Sequence, residues 1–178
     1  KFALCLTIVF MTLSIGLATK SPSNYVYAAE GDVTVDETTF PDATFRQWVL
    51  DNITSGSTTL TATMITNTTT IDVSSKNIAS LKGIEYFTEL NTLWCYRNQL
   101  TALDVSKNTK LETLVCYRNQ LATLDVRNNP LLEQLSCAIN QLTSLDVSNN
   151  PELQYLYCGG NKLTTLDVSK NQKLSSLA

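Results

Sequence analysis

The hydrophobic positions of this chain recur every 21 residues from about residue 90 onward. One unit begins LETLVCYRNQLATLDVRNNP, from Leu111 to Pro130, and ends at Leu131. Alternating apolar and polar residues around its cysteine predict a short strand, and its Asn- and Pro-rich end predicts a turn. A fixed period of this length predicts a solenoid, in which each unit stacks on its neighbours.

A single unit cannot fold alone. Its five or six inward apolar side chains each contribute about 1.5–3 kcal/mol on burial. Ordering the backbone of the 21 residues costs about 1–2 kcal/mol per residue. The repeats must therefore stack, with a parallel sheet formed by Thr92–Arg97 and its counterparts on the concave side. The opposite side is too rich in turn formers for a helix, so we expect it to be extended, with turns at Asn129-Pro130 and Asn150-Pro151.

Four polar or thiol series share the period: Cys95, Cys116, Cys137 and Cys158; Asn98, Asn119, Asn140 and Asn161; Asn108, Asn129, Asn150 and Asn171; and Asp104, Asp125, Asp146 and Asp167. Stacked cysteines permit a disulfide by Cα spacing, but side chains in register hold the sulfurs too far apart. Four ligands in a line cannot surround a metal ion. We interpret the cysteines as small core residues and the asparagines as partners of turn backbone groups. For the aspartates, Asx-type turns are favoured over a row of cation ligands.

A different pattern precedes the repeats and predicts a small helical cap over residues 40–70. A helix over about 42–52 places Phe45, Trp48 and Val49 on one face, and a second helix over 62–66 starts at Thr61 as N-cap. Between them, residues 51–59 contain one acid, which is too few for a calcium loop. Residues 29–39 are expected to be a flexible lead-in, and residues 71–178 form the repeats.

The first 28 residues have the pattern of a secretory signal. Lys1 precedes an uncharged apolar run to Ala18, and small residues at the −3 and −1 positions favour cleavage after Ala28. An uncleaved membrane anchor is the alternative; after cleavage no membrane insertion is expected. The sequence stops inside a repeat, so we expect the repeat array to be incomplete at its C-terminal end.

Composition narrows the chemistry further. The chain has no histidine, which removes Ser-His-Asp and Cys-His catalysis and His-ligated zinc. The formal charge is −3, from 13 basic and 16 acidic residues, which gives no general attraction to nucleic acid. No paired carboxylates face a cleft, as a glycosidase requires. The sequence predicts no enzyme, no cofactor and no metal site.

The half-unit L-x-x-L-x-C-x-x-N-x-L resembles the leucine-rich-repeat signature, with cysteine in a position that leucine usually holds. In this respect the chain is similar to bacterial secreted and surface leucine-rich-repeat proteins, and especially to internalin-like proteins with a cysteine ladder. The resemblance covers about residues 71–178 and extends to the cap. It implies a solenoid scaffold that binds a ligand, a secreted or cell-surface location and a role in surface adhesion.

The concave face carries the candidate site. Strand alternation sends Leu93 and Cys95 inward and leaves their neighbours outward. The candidate ligand-binding residues are Trp94, Tyr96, Arg97, Tyr117, Arg118, Tyr155 and Tyr157. Exposed Trp, Tyr and Arg anchor protein interfaces and stack on sugar rings. The plainer alternative is cross-strand stacking that stabilises the sheet. The two arginines repel each other unless Glu112, Glu133 or the tyrosine rings relieve them.

The sequence thus predicts an exported, non-enzymatic leucine-rich-repeat module that recognises a protein or glycan, with no nucleic-acid partner. Two other functions stay open. In the first, the repeats are the N-terminal targeting region of a larger exported enzyme. In the second, they form a structural stalk at a surface.

Overall fold

The structure is a computed structural model that describes residues 31–178. The predicted signal over 1–28 lies outside the described residues. In chain order the elements are β1 (Val33–Thr34), α1 (Ala43–Asn52), β2 (Thr59–Leu60), α2 (Ala62–Asn67), β3 (Thr70–Asp72), a 3-10 turn (Ile84–Tyr86), β4 (Thr92–Trp94), β5 (Thr113–Val115), β6 (Gln134–Ser136), β7 (Tyr155–Tyr157) and β8 (Ser176–Leu177).

The repeats form one parallel sheet of six strands in the order β3-β4-β5-β6-β7-β8. The strands pair without a register shift, so the middle residue of each strand meets the same position of the next. These middle residues are fully buried: Ile71, Leu93, Leu114, Leu135 and Leu156. Between strands the chain returns through turns rather than helices. The predicted leucine-rich-repeat solenoid, of about five turns with a small helical cap, is confirmed.

The cap forms as the local pattern predicts. The Asp42 carboxylate accepts from the N–H groups at the start of α1, and the Thr61 hydroxyl accepts from Met64 N–H at the start of α2. Phe45 and Val49 of α1 are fully buried, and Trp48 packs partly against the core.

The described part of the expected lead-in over 29–39 is folded. β1 pairs antiparallel with β2, and Val35 is buried beside them. Val33 and Val35 flank a polar residue, and their apolar surface is removed from water by joining the cap. A two-residue strand is too short to be recognised from its sequence pattern, so the expectation of a flexible segment was wrong for residues 33–35.

Two contacts join the cap to the repeats. The Phe40 ring packs against Phe45 of the cap and Phe87 of the first turn, with ring centroids 5.7 and 6.5 Å apart. The second carboxylate oxygen of Asp42 accepts from the N–H groups of Ala79 and Ser80 at 2.8 and 3.2 Å. One aspartate thus caps α1 and holds the first solenoid turn, so the cap and repeats share one core.

Both asparagine series bond the backbone of neighbouring repeats. Asn119 shows the first series: Oδ1 accepts from Leu100 N–H, and Nδ2 donates to the carbonyls of Cys95 and Cys116, all at 3.0 Å. In the second series, Asn129 donates from Nδ2 to carbonyls of the preceding turn. Away from the sheet, these turns form no strand ladder. The asparagine amides therefore provide the hydrogen-bond partners for the turn backbone that a helix would supply internally.

The aspartate series lies in Asx-type turns. Asp104 Oδ1 accepts from Ser106 N–H at 2.9 Å, and the later members repeat this contact. That backbone hydrogen bond lowers the pKa of Asp104. In Asp125 the pKa falls to about 2, chiefly because the Arg127 guanidinium donates to the carboxylate. The carboxylates therefore serve the turns that hold them, as the plainer interpretation predicts.

The four repeat cysteines are free and buried in the core. Burial raises the pKa of the Cys137 thiol to about 12 and shifts the pKa of Cys95 and Cys116 in the same direction. A protonated, buried thiol is a poor nucleophile. The interpretation of these residues as small core side chains agrees with this placement.

We therefore expect native protein at pH 8 to leave Cys95, Cys116 and Cys137 unmodified by iodoacetamide for hours, and unfolded protein to react at all three. Peptide mass spectrometry after alkylation with and without guanidinium measures this. Rapid labelling of folded protein, or a thiol missing after unfolding, would contradict the assignment of free core thiols.

Candidate functional site

The outward residues of β3 to β8, with the residues that follow each strand, form the surface called here the concave face. Register places its columns side by side across the strands. The first column contains Thr70, Thr92, Thr113, Gln134, Tyr155 and Ser176, and the second contains Asp72, Trp94, Val115, Ser136 and Tyr157.

Two members of the second column are large aromatic side chains, one on β4 and one on β7. Trp94 on β4 is 39 % exposed and Tyr157 on β7 is half-buried. The residues between them, Val115 and Ser136, are small and buried. Tyr155 lies beside Tyr157 in the first column and is 42 % exposed. The face therefore has a low centre between two raised aromatic edges, a shape into which a partner's side chain can pack.

The two repeat tyrosines after β4 and β5 stack on each other. The ring centroids of Tyr96 and Tyr117 are 4.7 Å apart and the planes differ by 5°. Cross-strand stacking, the plainer alternative from the sequence, is therefore present at this pair. The next two positions of the same column are Ala138 and Gly159. The tyrosine pair thus forms one edge of the face, and the surface beyond it is low.

The chain turns with a left-handed backbone at the residue that follows each member of the Tyr96, Tyr117, Ala138 and Gly159 column. Arg97, Arg118, Ile139 and Gly160 have φ of 52°, 56°, 54° and 69°. A positive φ is uncommon for any residue but glycine and is especially so for a β-branched one. One residue type signals this turn along the chain, the glycine at position 160. The turn directs Ile139 outward with 49 % exposure, and this site residue was missed by sequence reasoning.

Arg97 and Arg118 of the concave face have no acidic partner within the described residues. Ion pairs there join Arg46 to Glu37, Lys110 to Glu89, Arg127 to Asp125 and Lys173 to Glu152. Neither Glu112 nor Glu133 reaches Arg97 or Arg118, so the relief suggested from the sequence is not formed. Both arginines are exposed. In the part of the chain that the structure describes, no acid therefore forms an ion pair with either of these two neighbouring positive charges.

The predicted site residues fall into two groups. Trp94, Tyr96 and Arg97 on the β4 turn adjoin Tyr117 and Arg118 on the β5 turn. Tyr155 and Tyr157 lie on β7, three strands from β4, which corresponds to about 14 Å at the usual strand spacing. One extended ligand can contact both groups, whereas a single sugar ring cannot.

Among residues 31–178, no group of three or more Cys, Asp or Glu side chains is arranged to hold a metal ion. The search for membrane spans, made over the same residues, finds no helix with the length and apolar character to cross a bilayer.

A parallel sheet with one strand per 21-residue turn, an asparagine ladder and a helical cap defines the leucine-rich-repeat class. Among solved structures, the chain is similar to the functional domain of InlJ from Listeria monocytogenes, which includes a cysteine ladder; the identity is 38 % and the TM-score 0.75. The match covers 81 % of this chain and 32 % of that one. No protein-family model matches the sequence, and no curated protein does.

Two further structures share the architecture. A leucine-rich-repeat protein of Leptospira interrogans is 28 % identical with a TM-score of 0.61, over 65 % of this chain and 32 % of that one. An internalin C2 of Listeria monocytogenes is 20 % identical with a TM-score of 0.60, over 85 % and 79 %, and shows the fold alone.

The chain is an internalin-like leucine-rich-repeat protein. It spans about a third of the InlJ chain that it matches.

Proposed function

We propose that this chain is an exported binding module that recognises a protein ligand through its concave face, in surface adhesion or interaction. The observation that carries the proposal is the pair of exposed aromatic edges, Trp94 and Tyr155, on either side of a low, buried centre. Packing within the repeats does not require these side chains, because Thr, Gln, Val and Ser occupy the same columns on β5 and β6. Exposed aromatic residues around a shallow centre are typical anchors of protein interfaces.

A protein ligand is favoured over a glycan because of the apolar content of the face. Trp94 and Ile139 present exposed carbon surface without hydrogen-bonding groups, except for the indole N–H. A glycan needs a dense set of polar partners for its hydroxyls. Export rests on the predicted signal over 1–28 and on the surface location of internalin-like relatives.

Replacing Trp94 and Tyr155 together with alanine is expected to weaken ligand binding at least 30-fold. Truncating a central aromatic anchor costs about 2 kcal/mol or more, and both side chains are exposed, so the fold is expected to be retained. Binding is measured on arrays of extracellular host proteins and of glycans, and circular dichroism and thermal melting check the fold.

The matched control is Leu131→Ala, which removes an apolar side chain of 46 % exposure that lies outside the sheet. It is expected to bind like the unaltered chain. Full retention by the double variant would overturn the concave-face proposal, and capture of glycans alone would overturn the choice of a protein ligand.

A further inference from the structure

The arginines of this protein divide into two kinds. The chain has four: Arg46, Arg97, Arg118 and Arg127. Arg46 and Arg127 each pair with an acid, whereas Arg97 and Arg118 have no such partner in the part of the chain that the structure describes. The two unpaired arginines are the two on the concave face.

Strand pairing keeps these two charges together. Arg97 N–H donates to Tyr117 O, and Arg118 N–H donates to Ala138 O, both at 3.0 Å. The ladder therefore continues through the arginine turns, and the two backbones are separated by about 4.8 Å, the spacing of adjacent strands. Two arginine side chains that start from adjacent strands can reach the same anion, and a shared anion offsets the repulsion between like charges.

The turn itself does not call for arginine. Gly160 makes the same left-handed turn two strands further along without steric cost, whereas a residue with a Cβ is strained there. Ile139 makes the same turn with an uncharged side chain, so the backbone does not require the two charges and the fold leaves both guanidinium groups free for a ligand.

We infer that Arg97 and Arg118 bind a carboxylate-bearing segment of the protein ligand, with an apolar residue next to the acid. This inference rests on the proposed function and names the chemistry of the partner. A guanidinium donates two parallel N–H bonds to the oxygens of a carboxylate. The stacked rings of Tyr96 and Tyr117 lie directly before the two arginines in the chain, and the exposed Ile139 follows Arg118 across the strands.

The apolar neighbour distinguishes a peptide from a sulfated sugar. Ile139 occupies, in the next repeat, the turn position that Arg97 and Arg118 occupy in theirs. Its side chain lies beside Gly160. It offers carbon surface where a sulfated sugar would need hydrogen-bonding groups. An acidic residue followed by an apolar one matches both halves of the surface.

The test is an NMR titration of the chain that follows the Nε–Hε signals of all four arginines. The probes are the peptide acetyl-Leu-Asp-Glu-Leu-amide, its neutral match acetyl-Leu-Asn-Gln-Leu-amide, and glucosamine 6-sulfate. We expect the acidic peptide to shift the Arg97 and Arg118 signals saturably, with Arg46 and Arg127 unmoved. In R118Q, the change that the acidic peptide causes in the Arg97 signal should be at least fivefold smaller. R127Q removes the same charge outside the sheet and should leave that change unaltered.

Equal shifts of all four arginines, equal shifts with the neutral peptide, or a response to the sulfated sugar alone would each overturn the inference. The R97Q/R118Q variant on the protein arrays separates this inference from the proposed function. If that variant binds normally while the Trp94/Tyr155 variant does not, the acidic partner is wrong and the concave face stands. If both variants bind normally, the proposed function fails as well.

Discussion

Replacing Gly83 with alanine is expected to destabilise the protein by about 3–5 kcal/mol, through overpacking and backbone strain together. A Cβ built on Gly83 lies 2.9 Å from Phe40 Cγ and closer still to Cδ1 and Cε1. The ring cannot retreat, because Phe40 is fully buried among Phe45, Tyr86 and Phe87. The backbone at Gly83 is also left-handed, with φ of 105°. The substitution therefore acts where the cap meets the first solenoid turn.

Urea unfolding followed by tryptophan fluorescence measures the effect on each part. The chain has one tryptophan in the cap, Trp48, and one on β4, Trp94. Variants in which one of them is replaced by phenylalanine report the cap and the repeats separately. We expect both transitions to move together, because the cap and repeats share one core.

Gly56→Ala is the matched control. Gly56 also has a positive φ, 86°, but a Cβ built there meets no atom within 4 Å. The control is expected to cost about 1–2 kcal/mol from backbone strain alone. Equal losses for the two variants would show that contact with Phe40 contributes nothing, which contradicts the packing described above.

Replacing Asn119 with alanine is expected to destabilise the solenoid by about 3–5 kcal/mol. The change leaves Leu100 N–H without its partner and removes one of the two amide donors to each of the Cys95 and Cys116 carbonyls. Those carbonyls keep the amides of Asn98 and Asn140. An unsatisfied buried N–H costs about 1–3 kcal/mol, and each of the two other lost hydrogen bonds costs about 0.5–1.5 kcal/mol. Because the three groups belong to two repeats, the loss weakens the interface between those repeats, and urea unfolding measures it.

Asn128→Ala provides the comparison, since Asn128 lies in the next turn of the chain but is exposed. Its loss is expected to change the free energy of unfolding by less than about 0.5 kcal/mol. An Asn119→Ala variant as stable as Asn128→Ala would mean that water replaces the amide without cost, and that the ladder does not stabilise the stack.

The composition of the concave face could be predicted from the sequence, but its shape could not. Strand alternation correctly placed Trp94 outward and Leu93 inward, because side chains of a strand alternate between its faces. The same rule cannot tell that Val115 is 8 % exposed while Trp94 on the next strand is 39 % exposed. Their difference depends on the size of the residues on both flanking strands.

The charges and turns of the concave face also depend on the fold, and proximity along the chain did not predict them. The sequence suggested Glu112 or Glu133 as partners of the arginines, since they are close along the chain. Folding sends them to opposite ends of the strands, because each glutamate precedes its strand and each arginine follows one. The exposed Ile139 was not a candidate, since its left-handed backbone depends on the ladder bond from its N–H to Gly159 O.

By itself the sequence determined the architecture: the period, the inward leucines and cysteines, the two asparagine ladders and the capped helices. These features are local or repeat along the chain, so each is present many times or within a few residues. The tertiary structure decided the rest: the joining of residues 33–35 to the cap, the Phe40–Gly83 contact, the stacked tyrosines and the unpaired arginines. Each depends on residues brought together from different turns, and their distances exist only once the stack has formed.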